Sequence, residues 1–125
     1  MTRGVAGRKH LNRAMRLQTK HDFVQVRENG RRFAKGCLVA NWMSLPSGST
    51  VRLGVVTTRR LGNAVKRARA RRLLREAFRL HQWDFKHAVD MVLVARTSIK
   101  GKKLADVERD YLSVLRQAHL LKETE

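Results

Sequence analysis

Residues 51–79 read VRLGVVTTRRLGNAVKRARARRLLREAFR, and the way this stretch divides sets the order of elements. Val51 to Thr58 is short and β-branched, which predicts a strand, with Gly54 marking a bulge or the close approach of another group. Gly62 and Asn63 then supply a break and an N-cap. From Ala64 to about His81 the chain has neither Gly nor Pro, so a helix follows. At about 100° per residue Ala70, Leu73, Leu74 and Ala77 gather on one side, with Phe78 at their edge. Arg69, Arg71, Arg72, Arg75 and Arg79 spread over the other side.

Upstream, Thr19 with Asp22 three residues on is a capping pair that opens a short helix to about Asn29, with Gly30 as its stop. Cys37 to Met43 (CLVANWM) predicts a strand, and Leu45-Pro46-Ser47-Gly48-Ser49 a turn holding the only proline. Downstream, Asp90 to Ala95 (DMVLVA) predicts a further strand. A final helix from about Leu104 to Leu121 carries Leu104, Val107, Tyr111, Val114, Leu115 and Ala118 at helical spacing. The order is helix, two or three strands, helix, strand, helix: an α+β layer with helices packed on a small sheet. At 125 residues, 42% of them apolar, the chain makes one compact domain with a real core. Residues 1–15 form a basic, Arg/Gly-rich tail without periodicity, and the domain proper spans 16–122.

The charge is lopsided. Lys and Arg number 28 against 10 Asp and Glu, a net of +18. Residues 1–83 hold 20 basic and 3 acidic side chains, whereas residues 84–125 hold 8 and 7. Concentrated like charge destabilises a compact state, so it implies a polyanionic partner more readily than a merely solvated surface. The basic helix lacks an aromatic insertion face, which argues against an acidic membrane. Arg59 to Arg79 carries nine basic residues and one acid, Glu76, so no i, i+4 carboxylates neutralise the arginines. Guanidinium forks suit bidentate phosphate contacts and stacking on bases, and the helix start at Asn63 adds free N–H groups. Nucleic acid is the expected partner.

Other chemistry is weakly supported. The single cysteine, Cys37, excludes an internal disulfide and a Cys-based zinc site, and it reads as a buried small hydrophobe. None of the five histidines pairs with another at i, i+4 or sits in a metalloprotease frame. Asp106, Glu108 and Asp110 alternate on a helix and read as solvating charge. Trp83 and Phe85 read as hinge or core packing and not as a base-stacking platform. No signal peptide or membrane span is apparent, which predicts a cytoplasmic protein.

Arg52-Leu53-Gly54-Val55-Val56, then Arg59-Arg60-Leu61-Gly62-Asn63-Ala64-Val65, then the basic helix from Lys66 to Arg79 closely resemble the bacterial ribonuclease P protein family. The resemblance extends to Arg16-Leu17, Asp22-Phe23 and Gly30 upstream, and to Asp90–Arg96 and the last helix downstream. It implies a domain of order αβββαβα, with a four-stranded sheet and a left-handed βαβ crossover. It further implies an accessory subunit of a ribozyme. The catalytic RNA would hold the Mg2+ ions and cut the 5′ leader from precursor tRNA, and the protein would contribute no catalytic residue and no metal site. One protein monomer per RNA is the implied assembly. A structural RNA-binding protein, such as a ribosomal protein or an RNA chaperone, is the alternative.

Carried over by matching positions, Arg59, Arg60, Asn63, Lys66, Arg67, Arg69, Arg71, Arg72 and Arg75 would bind RNA, and Phe23 would line the leader cleft. Three positions depart from the family pattern. Ala68 replaces the central Asn of Arg-Asn-Arg. Arg27 replaces an aromatic, and Asn41 stands where the first strand often has another, with Trp42 beside it. Alternation puts Asn41 and Trp42 on opposite faces, so Trp42 reaches the cleft only if the register slips by one. Leader recognition would then rest more on charge than on stacking.

Overall fold

The computed structural model describes residues 15–122. The basic tail expected over 1–15 lies, apart from Met15, outside the described residues. The elements run α1 (Lys20–Asn29), β1 (Arg31–Lys35), β2 (Leu38–Ser44), β3 (Arg52–Val56), α2 (Ala64–Leu80), β4 (Val89–Ala95) and α3 (Leu104–Gln117), with single 3-10 turns at Arg59–Leu61 and Thr97–Ile99. This is the expected α+β domain with three helices and a four-stranded sheet.

Strand order is β1-β2-β4-β3. The β1-β2 and β2-β4 pairs are antiparallel and β3-β4 is parallel, so α2 serves as the crossover between β3 and β4. Beyond β3 the chain at Arg16 pairs in parallel with Leu53, and Leu17 N–H donates to the Leu53 carbonyl at 2.9 Å. The β3 edge is thereby covered.

The strand β1, RRFAK, is the one element that the residue pattern does not single out. Only Phe33 of its five residues turns inward, and the rest are exposed. A short charged strand of this kind is typical of a protected sheet edge, and it has too little apolar alternation to read as a strand. A tight turn at Gly36, φ +54°, joins it to β2.

Each face of the sheet has its own layer. Leu38, Ala40, Trp42, Leu53, Met91 and Leu93 face α2 and α3 and form the main core with Leu74, Phe78, Tyr111 and Leu115. The opposite face carries a smaller cluster in which Leu17, Val26 and Val92 are buried against Phe23, Val56 and Val94. The apolar stripes expected on α2 and α3 turn inward: Ala70, Leu74, Ala77, Phe78, Val107, Tyr111, Val114 and Leu115 are buried, while Leu73, Leu104 and Ala118 are partly buried against them. On α1 the capping pair forms as expected, with Asp22 N–H donating to Thr19 Oγ1 at 3.1 Å.

The α3 carboxylates do structural work, contrary to the reading of them as solvating charge. Asp110 is 9% exposed and accepts the Cys37 N–H at 3.0 Å, tying α3 to the β1-β2 turn. Glu108 accepts from His81 at 2.7 Å, while the other ring nitrogen of His81 meets Asp84 at 2.9 Å. Asp106 accepts the Lys103 N–H at the start of α3. Alternation along the helix separates these groups: Asp106 caps its own helix, while Asp110 and Glu108 reach partners outside it.

Cys37 itself is buried. Burial first, and then Asp110, push its thiol up to about 11. Since the thiolate is the reactive form, Cys37 is expected to resist thiol reagents in the native protein at pH 7–8 and to react fully in denaturant. Rapid native labelling would show that the β1-β2 turn opens readily.

Candidate RNA interface

Asn63 caps α2 through its side chain, which accepts the Lys66 N–H at 3.0 Å. From that start the helix turns a ridge outward that contains Ala68, Arg72, Arg75, Glu76 and Arg79. A groove of about 300 Å³ runs along it, with Arg71 on its side. Glu76 pairs with Arg79, its one partner on this face among the described residues. Arg72 and Arg75 are exposed. Partial desolvation, followed by the nearby Arg16 and Arg71 guanidiniums, lowers the pKa of Arg75 below its ordinary value. Three cations thus converge where the covering strand at Arg16 meets α2. Such convergence is costly unless an anion joins it.

Other arginines of the series are held against the protein. Arg67 donates to the Gly62 carbonyl at 2.7 Å, Arg69 to the Lys102 carbonyl at 2.7 Å, and Arg71 to Thr57 Oγ1 at 2.9 Å. These bonds fix the guanidiniums in place, and each retains further N–H donors for a ligand. Arg59, Arg60 and Lys66 stand exposed before and within the first turn of α2. The structure therefore brings all nine predicted RNA-binding positions onto one helix and its leading turn.

On the opposite sheet face, Phe23, Arg27, Asn41, Val56, Val92 and Val94 line a cleft of about 140 Å³. The Phe23 ring lies over Gly54 so closely that a Cβ there would meet it at 2.5 Å. The close approach foreseen at Gly54 is thus the packing of α1 on the sheet. Trp42 does not line this cleft. The strand has no slip or bulge, Asn41 pairing with Val92 and Trp42 with Met91, and Trp42 is 3% exposed in the main core, edge-on to Phe33. Phe23 is the one aromatic of the cleft among the described residues.

Sequence reasoning missed the role of Arg52. Its guanidinium forks onto Asp90 with two bonds, 2.8 Å from Nε and 2.7 Å from Nη2, and lies 3.7 Å from Asp22 of α1. The bond to Asp90 raises the Arg52 pKa. One side chain so joins β3, β4 and the helix that carries Phe23. The i, i+38 separation left no local signal.

Among the described residues no helix is long and apolar enough to cross a membrane. The chain matches the Ribonuclease P family over residues 11–119. A ribonuclease P protein component from Syntrophus aciditrophicus is 36% identical over 104 residues, spanning 80% of this chain and 83% of the relative. Another from Chloroflexus aurantiacus is 38% identical over 112 residues, spanning 89% and 82%. Among solved structures, the Staphylococcus aureus RNase P protein superposes with a TM-score of 0.78 at 26% identity, over 86% of this chain and 98% of that one.

Proposed function

Because the chain belongs to the ribonuclease P protein family, we propose that it is the RNA-binding subunit of a bacterial, cytoplasmic ribonuclease P that helps a catalytic RNA remove the 5′ leader of precursor tRNA. The outward arginine ridge of α2 is the observation that carries this reading. It presents guanidiniums with a single carboxylate among them, and each one placed on a phosphate releases condensed counterions. Arg59, Arg60, Asn63, Lys66, Arg67, Arg69, Arg71, Arg72 and Arg75 hold the catalytic RNA. Phe23, Arg27 and Asn41 take the leader on the other sheet face, so that the sheet stands between RNA subunit and substrate strand.

In this reading the hydrolysis belongs to the RNA, with Mg2+ held by RNA and substrate phosphates. The protein's part is to neutralise phosphate repulsion, which lowers the magnesium concentration at which the complex forms. One protein monomer serves each RNA.

Reconstitution tests it. The protein mixed with its cognate ribonuclease P RNA at low Mg2+ is expected to stimulate 5′-leader cleavage strongly, and the gain should grow with leader length. Binding to that RNA without stimulation would point instead to a structural RNA-binding protein or an RNA chaperone. Because the cleft offers one aromatic ring and a guanidinium, leader binding should depend steeply on salt and lose little on Phe23→Ala.

A further inference from the structure

The two strands of the parallel pair leave the sheet in the same way. The 3-10 turn Arg59–Leu61 follows β3, and the 3-10 turn Thr97–Ile99 follows β4. Their last residues, Leu61 and Ile99, are 1% and 2% exposed and close the floor of a groove of about 360 Å³. To its lining α2 supplies Lys66, Arg69 and Ala70, and the loop before α3 supplies Lys100 and Gly101. The crevice outside the carboxyl ends of parallel strands is where open α/β sheets hold their ligands.

This groove is separate from the one along the arginine ridge. At about 100° per residue, Lys66 and Ala70 lie on roughly the opposite side of α2 from Ala68, Arg72, Arg75 and Arg79. Arg69 stands between the two sides, and its bond to the Lys102 carbonyl at 2.7 Å commits it to the loop. The body of the helix, about 10–12 Å across with its side chains, keeps the grooves apart.

The charge on this second side is as one-sided as on the first. Lys66 and Arg69 of α2 face a loop that carries Lys100, Lys102 and Lys103, and of these five only Lys102 is not fully exposed. No carboxylate lines the groove. No lysine among the described residues forms an ion pair. Asp106 at the start of α3 feels Lys102 and Lys103 but is shared with Arg109. In the sequence these three lysines belong to the evenly balanced residues 84–125, and only the fold sets them against α2. Bringing cations together from two distant segments is costly unless an anion joins them.

We infer that this groove holds a second stretch of RNA backbone, distinct from the one on the ridge, with Lys66, Arg69 and Lys100 on its phosphates. The helix α2 then lies between two backbone segments of the same RNA. A strand lying along the ridge cannot also fill this groove, because the helix body stands between them. Each lysine placed on a phosphate releases condensed counterions, as on the ridge. The inference rests on the RNA-binding reading of α2 and adds the loop at residues 100–103 to it.

Hydroxyl-radical cleavage from tethered iron–EDTA tests it on the full-length protein bound to its cognate ribonuclease P RNA. Cys37 is buried and stays unlabelled in the folded protein, so Lys100→Cys and Ala68→Cys each provide a single tether. The two tethers should cut two separate stretches of the RNA. Lys100→Gln together with Lys102→Gln should weaken binding about tenfold and leave the melting temperature unchanged. It should also flatten the plot of log affinity against log salt by about 1.4–1.8. Cutting from Ala68→Cys alone, overlapping cuts from the two tethers, or an unchanged salt slope in the lysine variant would overturn the second groove and leave the ridge reading standing. No cutting from either tether would overturn both.

Discussion

Replacing Arg72 and Arg75 together with glutamine is expected to weaken binding of the ribonuclease P RNA by one to two orders of magnitude, without weakening the fold. Charge-assisted hydrogen bonds contribute about 1.5–3 kcal/mol each, and solvent around these exposed guanidiniums roughly halves that, which leaves about 1.5–3 kcal/mol for the pair. The plot of log affinity against log salt should flatten by about 1.4–1.8, from roughly 0.7–0.9 for each phosphate left without its cation. The melting temperature should hold or rise slightly, since Arg75 stands beside Arg16 and Arg71 and no carboxylate among the described residues relieves it. Opposite signs for binding and stability distinguish an interface arginine from a structural one. Arg67 and Arg69, which donate to the Gly62 and Lys102 carbonyls, are the contrasting pair. Their replacement should cost stability as well as affinity. An unchanged salt slope in the Arg72/Arg75 variant would remove the ridge from the RNA contact.

The second large effect is structural. Arg52→Leu leaves Asp90, whose side chain is 4% exposed, as a buried carboxylate without its cation. Breaking a fully buried pair costs about 3–5 kcal/mol. Because the Arg52 side chain is 33% exposed, water reaches the pair, and about 2–3 kcal/mol is the fitting expectation. That corresponds to a melting temperature lowered by roughly 10 °C. The double variant Arg52→Leu with Asp90→Leu should recover most of the loss, since it removes both charges. Leader binding should stay impaired in both, because Arg52 also steadies Asp22 of α1, the helix that carries Phe23. Thermal melts together with leader affinities separate these two roles.

Positions close in sequence carried most of the legible information. The α2 stripe, the Thr19–Asp22 cap and the apolar repeat of α3 depend on contacts within one or two helical turns, so periodicity reveals them directly. The basic face of α2 was legible for the same reason, since its charges need no tertiary partner to be recognised as unneutralised. At Gly54, the sequence signalled that something approaches closely, and the structure identified it as the Phe23 ring.

What the sequence by itself determined, then, is the family, the order of elements beyond β1 and the cationic helix, all of them properties of adjacent residues. Tertiary structure decided the strand register on which alternation had left Trp42 conditional, placing Asn41 in the cleft and Trp42 in the core. It alone joined Arg52 to Asp90, Asp110 to the Cys37 N–H, and His81 to Glu108. It also left Trp83 exposed while burying Phe85, and buried the Gln82 amide without a partner. The reason is common to all of these. A buried polar group or an exposed ring is defined by what surrounds it, and those surroundings come from elements tens of residues away, brought together only when the sheet and its helices pack.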